Sequence, residues 1–388
     1  TLLAFLRDYL GLAGSKNGCN QGHCGSCTVI IDGRARRACT VRVSGLMGSK
    51  IETIENLAKN GQLHPLQRAF MNEGAVQCGF CTPGMIMAAK ALLDVNPSPT
   101  AEEIKETLRF NLCRCTGYAA VIRSVELAAA MLRGEVSAAG GAAGEAAIGP
   151  DEAVVGSSPV KKDALSKVTG APIYAADLRF ERLLHGKLLL SRYPSARIIS
   201  INRQKALSAP GVVRVLTADD IPGRKGFGLL NPHQPVLAGE VVRYAGESLA
   251  LVLAESEAEA AGALSMIEVE YEPLPGLFSA EDGLKDDAPL VHPEGNLMHH
   301  AAVRRGDPEK AFAEAAVIVE GEYTTPVVEH AYLEPEAAVA RLEDDGSVSV
   351  WTASQGSAVF REMIAASLDL PLEKVRVIYT PAGGAFGG

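Results

Sequence analysis

The sequence predicts an α+β chain of several domains, and three observations carry that expectation. At 388 residues the chain is long for one core, taking roughly 100–200 residues per domain as the guide. All eight cysteines lie between Cys19 and Cys115, so one chemistry is confined to the first third. A run of glycine and alanine, "GEVSAAGGAAGEAAIGP" from Gly134 to Pro150, has no apolar period and reads as a linker. The formal charge of -9 argues against a nucleic-acid partner, because such readers carry basic stripes. No apolar run approaches the roughly 18 residues of a membrane helix. No signal peptide is visible either, which points to the cytoplasm. The chain opens on Thr1 directly in "TLLAFLRDYLGL", which reads as the middle of a domain with residues missing upstream.

The first cysteines sit in "GCNQGHCGSC", Gly18 to Cys27. Three cysteines and three glycines in ten residues cannot build a packed core. Cys19, Cys24 and Cys27, followed by a distant Cys39, have the C-x4-C-x2-C spacing of a plant-type [2Fe–2S] site. Gly18, Gly22 and Gly25 let the backbone fold tightly and aim amides at sulfur. "CTVIID" predicts a strand closed by the turn Asp32-Gly33. "RRACTVRV" is the returning strand that delivers Cys39. A structural zinc is the rival, but zinc knuckles favour two short C-x2-4-C pairs. His23 reads as a solvent-facing loop residue.

A second set combines "QCGFCTPG", with Cys78 and Cys81, and "NLCRCTGY", with Cys113 and Cys115. Helical patterns flank both, and Thr100 to Glu103 is a capping box that marks a helix start. Alone, "CGFC" could be a redox dithiol. Together with "CRC", at the junctions of four helices, it favours a second four-thiolate cluster. Local disulfides are disfavoured by the same close pairing, since disulfides staple small domains with poor cores.

From Lys161 strands alternate with helices, as in "GKLLLSRYPSARIISI", "GVVRVLTADDI" and "ESLALVLAESEAEAAGALSMIEVEYEPLP". Composition there gives an α/β or α+β domain. Further on, "VVEHAYLEPEAAVA" puts His330, Glu334 and Glu336 near one strand, as a polar edge rather than a metal cluster. "VWTASQGSAVFREMIAASLDLP" predicts a strand entering a helix with Gln355 at the junction, where a sheet's carboxyl end offers side chains to a ligand. "VRVIYTPAGGAFGG" ends a strand in a loop with four glycines in six residues, Gly383, Gly384, Gly387 and Gly388. Bare amides there can approach an anion. No Lys-Ser/Thr follows, so it is not a Walker loop.

The cysteine motifs, in order and spacing, resemble the iron–sulfur region of the molybdenum hydroxylases, the xanthine oxidase and aldehyde oxidoreductase family. The resemblance implies a ferredoxin-like β-grasp [2Fe–2S] domain over 1–48 and a four-helix [2Fe–2S] domain over 51–133. A linker over 134–156, an α/β hammerhead domain over 157–290 and the start of a molybdopterin-binding domain over 300–388 would follow. The cluster ligands would be Cys19, Cys24, Cys27 and Cys39, then Cys78, Cys81, Cys113 and Cys115, with Cys115 also close to the pterin. Gln355 would meet a metal oxo group, and Phe386 and Gly387 would offer backbone amides at the metal. Ala385 departs from the usual glycine, which is tolerable while its φ stays negative. The family's catalytic glutamate lies beyond Gly388, so no catalytic residue is named.

The implied cofactors are two [2Fe–2S] clusters and molybdenum on a molybdopterin in dinucleotide form. The interval between "AAAMLRG" and "KKDALSKVTG" leaves no room for a flavin domain, so no FAD is expected in this chain. The implied reaction is hydroxylation of an aldehyde or an N-heterocycle with water as oxygen source, electrons leaving through the clusters. Xanthine, another purine or nicotinate is the alternative substrate class. The implied partners are an electron-acceptor protein or a separate flavin subunit, with a homodimer as an option for assembly. The competing class is an electron-transfer module with no catalysis of its own.

Overall fold

The computed structural model describes residues 1–136, 155, 159–229 and 231–387. Most of the linker expected over 134–156 lies outside the described residues, as does Gly388.

A helical opening, Leu2–Ala4 continued by Phe5–Tyr9, packs on a three-stranded antiparallel sheet. In that sheet β1 (Thr28–Ile31) lies between β2 (Arg34–Arg37) and β3 (Ile51–Glu52). Asp32 and Gly33 have φ of 49° and 78°. Positive φ at both central residues gives the primed turn that matches strand twist, and Ile31 sits opposite Arg34 as the hairpin requires. Leu2, Leu6, Val29 and Ile31 close a small core that also holds Cys27 and Cys39. Cys39 itself lies in a short 3-10 turn, Ala38–Thr40, immediately after β2 rather than within the strand.

Four helices follow: α1 (Pro65–Asn72), α2 (Thr82–Leu93), α3 (Ala101–Leu108) and α4 (Ala119–Leu132). The expected box opens α3: Thr100 Oγ1 accepts from the Glu103 N–H at 3.2 Å, and Glu103 Oε2 accepts from the Thr100 N–H at 2.7 Å. A second box, not foreseen from the sequence, opens α1 through His64 and Gln67. Leu66, Phe70, Ile86, Ile104, Val121 and Val125 are fully buried in the core that these helices share. Gly84, in the first turn of α2, has no room for a side chain, because a Cβ there would fall 2.3 Å from Gly25 O. The helical core is therefore seated directly on the first cysteine loop.

The next region has two three-stranded antiparallel sheets built from β4 (His185–Leu190), β5 (Ala196–Asn202), β6 (Val212–Leu216), β7 (Ser248–Ala254) and β8 (Glu268–Pro273). In one, β7 lies between β4 and β6. In the other, β5 lies between β8 and the short strand Val241–Val242. Helix α5 (Glu257–Leu264) covers β7 with Ala260 and Ala263, which share a core with Ala250, Val252 and Ala254.

The last sheet holds β9 (Ala338–Leu342), β10 (Val348–Thr352) and β11 (Val375–Tyr379). Helix α6 (Ser357–Leu368) carries the chain from β10 to its parallel neighbour β11. Thr352 is level with Tyr379, so the turns after both strands open at the same carboxyl end, where such sheets place ligands. His330, Glu334 and Glu336 lie in the irregular stretch that leads into β9, whose first residue is Ala338. Pro335 has no N–H to give a ladder, which keeps this stretch irregular. Among the described residues no helix is long and apolar enough to cross a membrane.

A buried charge cluster ties the N-terminal part to the later regions. Asp177 accepts from Arg7 Nη2 at 2.5 Å and from Lys16 Nζ at 2.9 Å, with all three side chains under 10% exposed. Burial opposes ionisation of Asp177, but Lys16 and Arg7 outweigh it and hold the carboxyl below its usual range.

Candidate cluster sites and cofactor cavity

The first cysteine loop is built around Cys19. Its sulfur accepts from the backbone N–H groups of Gln21 at 3.4 Å, His23 at 3.2 Å and Cys24 at 3.4 Å. Burial raises the Cys19 pKa, yet these amides prevail and hold the thiol down, at about 7. Cys24, Cys27 and Cys39 are buried. Burial and the neighbouring Cys39 push Cys27 up to about 12. Gly25 is required by geometry: its φ is 72°, and a Cβ would fall 2.2 Å from Phe110 O. His23 is exposed, and only its backbone faces a sulfur.

The second set comes together from two helix junctions. Cys81 immediately precedes α2, and Cys113 and Cys115 lie in the turn before α4. Cys115 Sγ is 3.4 Å from Cys78 Sγ. Thr116 Oγ1 donates to Cys113 Sγ at 3.3 Å. Hydrogen bonds from Cys115 lower Cys78 and Cys113, while the same crowding raises Cys81 and Cys115 well above the usual thiol range. Four thiols this close cannot all ionise against one another without a cation between them. The sulfur contacts run from Cys78 to Cys115, Cys113 and Cys81, a four-thiol set of the kind that holds a two-iron cluster.

The two sets touch through backbone. Leu112 N–H, next to Cys113, donates to Cys24 O at 2.9 Å, and Asn111 Nδ2 donates to Gly25 O at 3.0 Å. A continuous hydrogen-bonded route thus joins one thiol set to the other.

Beyond the second set lies a cavity of about 640 Å³, within the size range of cofactor sites. Gln77, Cys78 and Cys115 line it together with Tyr379, Gly384 and Phe386. Lys161 and Lys167 border it, both donating to Gln77 O, at 2.9 and 2.6 Å. In the glycine-rich loop Gly384 and Gly387 have φ of 104° and 98°, and Phe386 takes φ of 56°. A non-glycine residue held there is strained, and such strain clusters at ligand sites. Ala385 keeps a negative φ, as its tolerance requires. Gln355 is exposed in the turn after β10, at the same sheet end as this loop. His330 packs against Gly387, its ring 3.6 Å from where a Cβ would stand.

Two buried hydroxyls have no hydrogen-bond partner among the described residues: Ser26 Oγ, inside the first cysteine loop, and Thr380 Oγ1, at the base of the glycine-rich loop. Ser26 follows Gly25 in the first cysteine loop and Thr380 follows the cavity-lining Tyr379, so an unpaired hydroxyl at each place fits a bound group nearby. Glu334 is a residue whose role the sequence did not reveal. It is 6% exposed, far from a polar edge, and its Oε2 accepts from the Gly383 N–H. Burial pushes its carboxyl up to about 7.

Two four-cysteine sets, the second lining a cavity edged by a glycine-rich loop, have the donor chemistry of iron–sulfur sites beside a bound cofactor. Known proteins share this arrangement of domains. Residues 14–70 match the "2Fe-2S iron-sulfur cluster binding domain", 53–126 the "[2Fe-2S] binding domain", 169–275 the "Aldehyde oxidase and xanthine dehydrogenase, a/b hammerhead domain" and 291–388 the "Molybdopterin cofactor-binding domain". Aldehyde oxidoreductase of Megalodesulfovibrio gigas is 36% identical over 98% of this chain and 44% of its own length. The nicotinate dehydrogenase small FeS subunit of Eubacterium barkeri is 49% identical over 33% of this chain and 81% of its own. Among solved structures, aldehyde oxidoreductase from Desulfovibrio gigas superposes with a TM-score of 0.89 at 35% identity, covering 100% of this chain and 44% of that one. The chain belongs to the molybdenum hydroxylase family of aldehyde oxidoreductases and xanthine dehydrogenases. It spans under half the length of the aldehyde oxidoreductases it matches.

Proposed function

We propose that the protein of which this chain is part hydroxylates an aldehyde with water as oxygen source and passes the electrons out through two [2Fe–2S] clusters. The supporting observation is one cavity lined both by Cys78 and Cys115 of the second set and by the glycine-rich loop, with the first set one hydrogen bond away. Cys19, Cys24, Cys27 and Cys39 would hold one cluster, and Cys78, Cys81, Cys113 and Cys115 the other. Gln355, with the Phe386 and Gly387 amides, would meet the molybdenum centre, and Cys115 would lie by the pterin in its dinucleotide form. When bound, molybdenum supplies Lewis acidity and takes up two electrons. The chain's own residues orient and tune. Amides of Gln21, His23 and Cys24 stabilise charge on Cys19. The strained loop fixes which backbone donors face the cavity.

An aldehyde is favoured over an N-heterocycle because the aldehyde oxidoreductase matches both halves of this chain at 36% identity, against 29% for the probable hypoxanthine oxidase of Escherichia coli O157:H7, which also spans both. The short interval between those halves leaves no room for an FAD domain. The nicotinate dehydrogenase relative matches the iron–sulfur part as a separate small subunit. That second relation supports an electron-transfer module as the other reading. The domain limits 1–48, 51–133, 134–156, 157–290 and 300–388 belong to the same proposal. Turnover of the full-length protein with aldehydes, xanthine and nicotinate, alongside its molybdenum content, tests it. Aldehyde oxidation by molybdenum-loaded protein supports the proposal. Iron without molybdenum and no turnover supports the carrier instead.

A further inference from the structure

We infer that Glu334 is a positioning residue whose buried carboxylate fixes the glycine-rich loop at a set separation from the second thiol set. The inference rests on the reading that this loop meets the molybdenum centre. The carboxylate accepts from the Gly383 N–H, at the start of the loop, and lies by the backbone of Ala175. Ala175 follows Tyr174, which is fully buried and donates its hydroxyl to Cys78 O at 2.8 Å. The Tyr174 ring stands edge-on to Phe80, between Cys78 and Cys81, at 5.1 Å. The loop is thus one carboxylate and one tyrosine away from the backbone of a thiol ligand. Contact with Glu334 is tight, since a Cβ on Gly383 would fall 2.2 Å from Glu334 Cβ.

The stretch carrying Glu334 is itself fastened to the second set. Arg114, between Cys113 and Cys115, donates Nε to His330 O and Nη2 to Glu329 O, both at 2.9 Å. Leu333 packs against the helical core, and its carbonyl lies 3.2 Å from where a Cβ on Gly18 would stand. Residues 329–334 therefore form a strap gripping the thiol loops at one end and the glycine-rich loop at the other. A carboxylate suits the strap's end because it is an acceptor-only group facing the Gly383 N–H. Alanine offers no acceptor, and glutamine offers a weaker, neutral one.

The test uses full-length holoenzyme carrying Glu334→Gln or Glu334→Ala. Both should retain iron and both cluster signals. The magnetic interaction between molybdenum and the second cluster should weaken. Reduction of the clusters by substrate should slow by roughly tenfold in Glu334→Ala, since misplacement on the scale of 1 Å is costly, and by less in Glu334→Gln. Direct chemical reduction of the clusters should be unchanged. A lower melting temperature with magnetic interaction and substrate-driven reduction as in wild type would overturn the inference. Should Glu334→Ala not fold, Glu334→Gln and Tyr174→Phe decide by the same readouts. Loss of molybdenum or turnover from the wild type would refute the proposed function itself, which separates the two failures.

Discussion

The two thiol sets are built on opposite principles. In the first, three of the four cysteines lie within one glycine-rich loop, and local amides already point at Cys19 before any distant contact forms. In the second, Cys78 and Cys81 meet Cys113 and Cys115 only because α2 and α4 pack around one core. A loop encodes its geometry over a few residues, whereas a helix junction borrows it from the fold. The first site should therefore respond to backbone changes in the loop, and the second to anything that shifts the helices.

The sharpest way to break this comparison is to remove one thiol from each set. Cys27→Ser should abolish the first cluster's paramagnetic resonance signal and spare the second. Cys113→Ser should do the reverse, with iron content halved in each. If both signals survive either change, the sorting of ligands is wrong. The next largest effect tests how the two sites are tied to the rest. Asp177→Asn strips the partner from buried Arg7 and Lys16 and should cost roughly 3 kcal/mol in denaturant unfolding, as breaking a buried pair does. Because the Asp177 carboxyl is held below its ordinary range, its contribution is complete above the unfolded pKa of roughly 3.9. It is lost as pH falls through the folded value. Wild-type melting temperature should drop in that acid window by more than that of Asp177→Asn.

Smaller changes sharpen the local-versus-borrowed contrast. Gly25→Ala places a Cβ on Phe110 O and forces a left-handed backbone. It should destabilise by about 2 kcal/mol and perturb the first cluster's spectrum before the second's. Thr100→Ala removes the cap of α3 and should cost about 1 kcal/mol, with a shift confined to the second cluster's spectrum.

The same contrast explains what the sequence could tell. The Asp32-Gly33 turn, the Thr100–Glu103 box and Gln355 between strand and helix are local signals, and each corresponds to the structure described. The second thiol set was legible because four otherwise unexplained cysteines sat between helical patterns. Glu334 was not legible. In "EHAYLEPE" it is one acid among three, and its burial follows from contacts with Gly383 and Ala175 that no local pattern encodes. Nor could periodicity pair Lys16 with Asp177, which lie 161 residues apart. Proximity in sequence groups His330 and Glu336 with Glu334. The fold separates their roles: His330 packs on the glycine-rich loop, and Glu336 accepts from the Tyr332 hydroxyl.

The most direct test of the central claim is elemental and spectroscopic analysis of the purified full-length protein after dithionite reduction. The account expects about four irons per chain, as two [2Fe–2S] centres each held by four cysteines require, and two distinguishable cluster signals of equal intensity. Zinc in place of iron, or a single signal carrying all the spin, would contradict it.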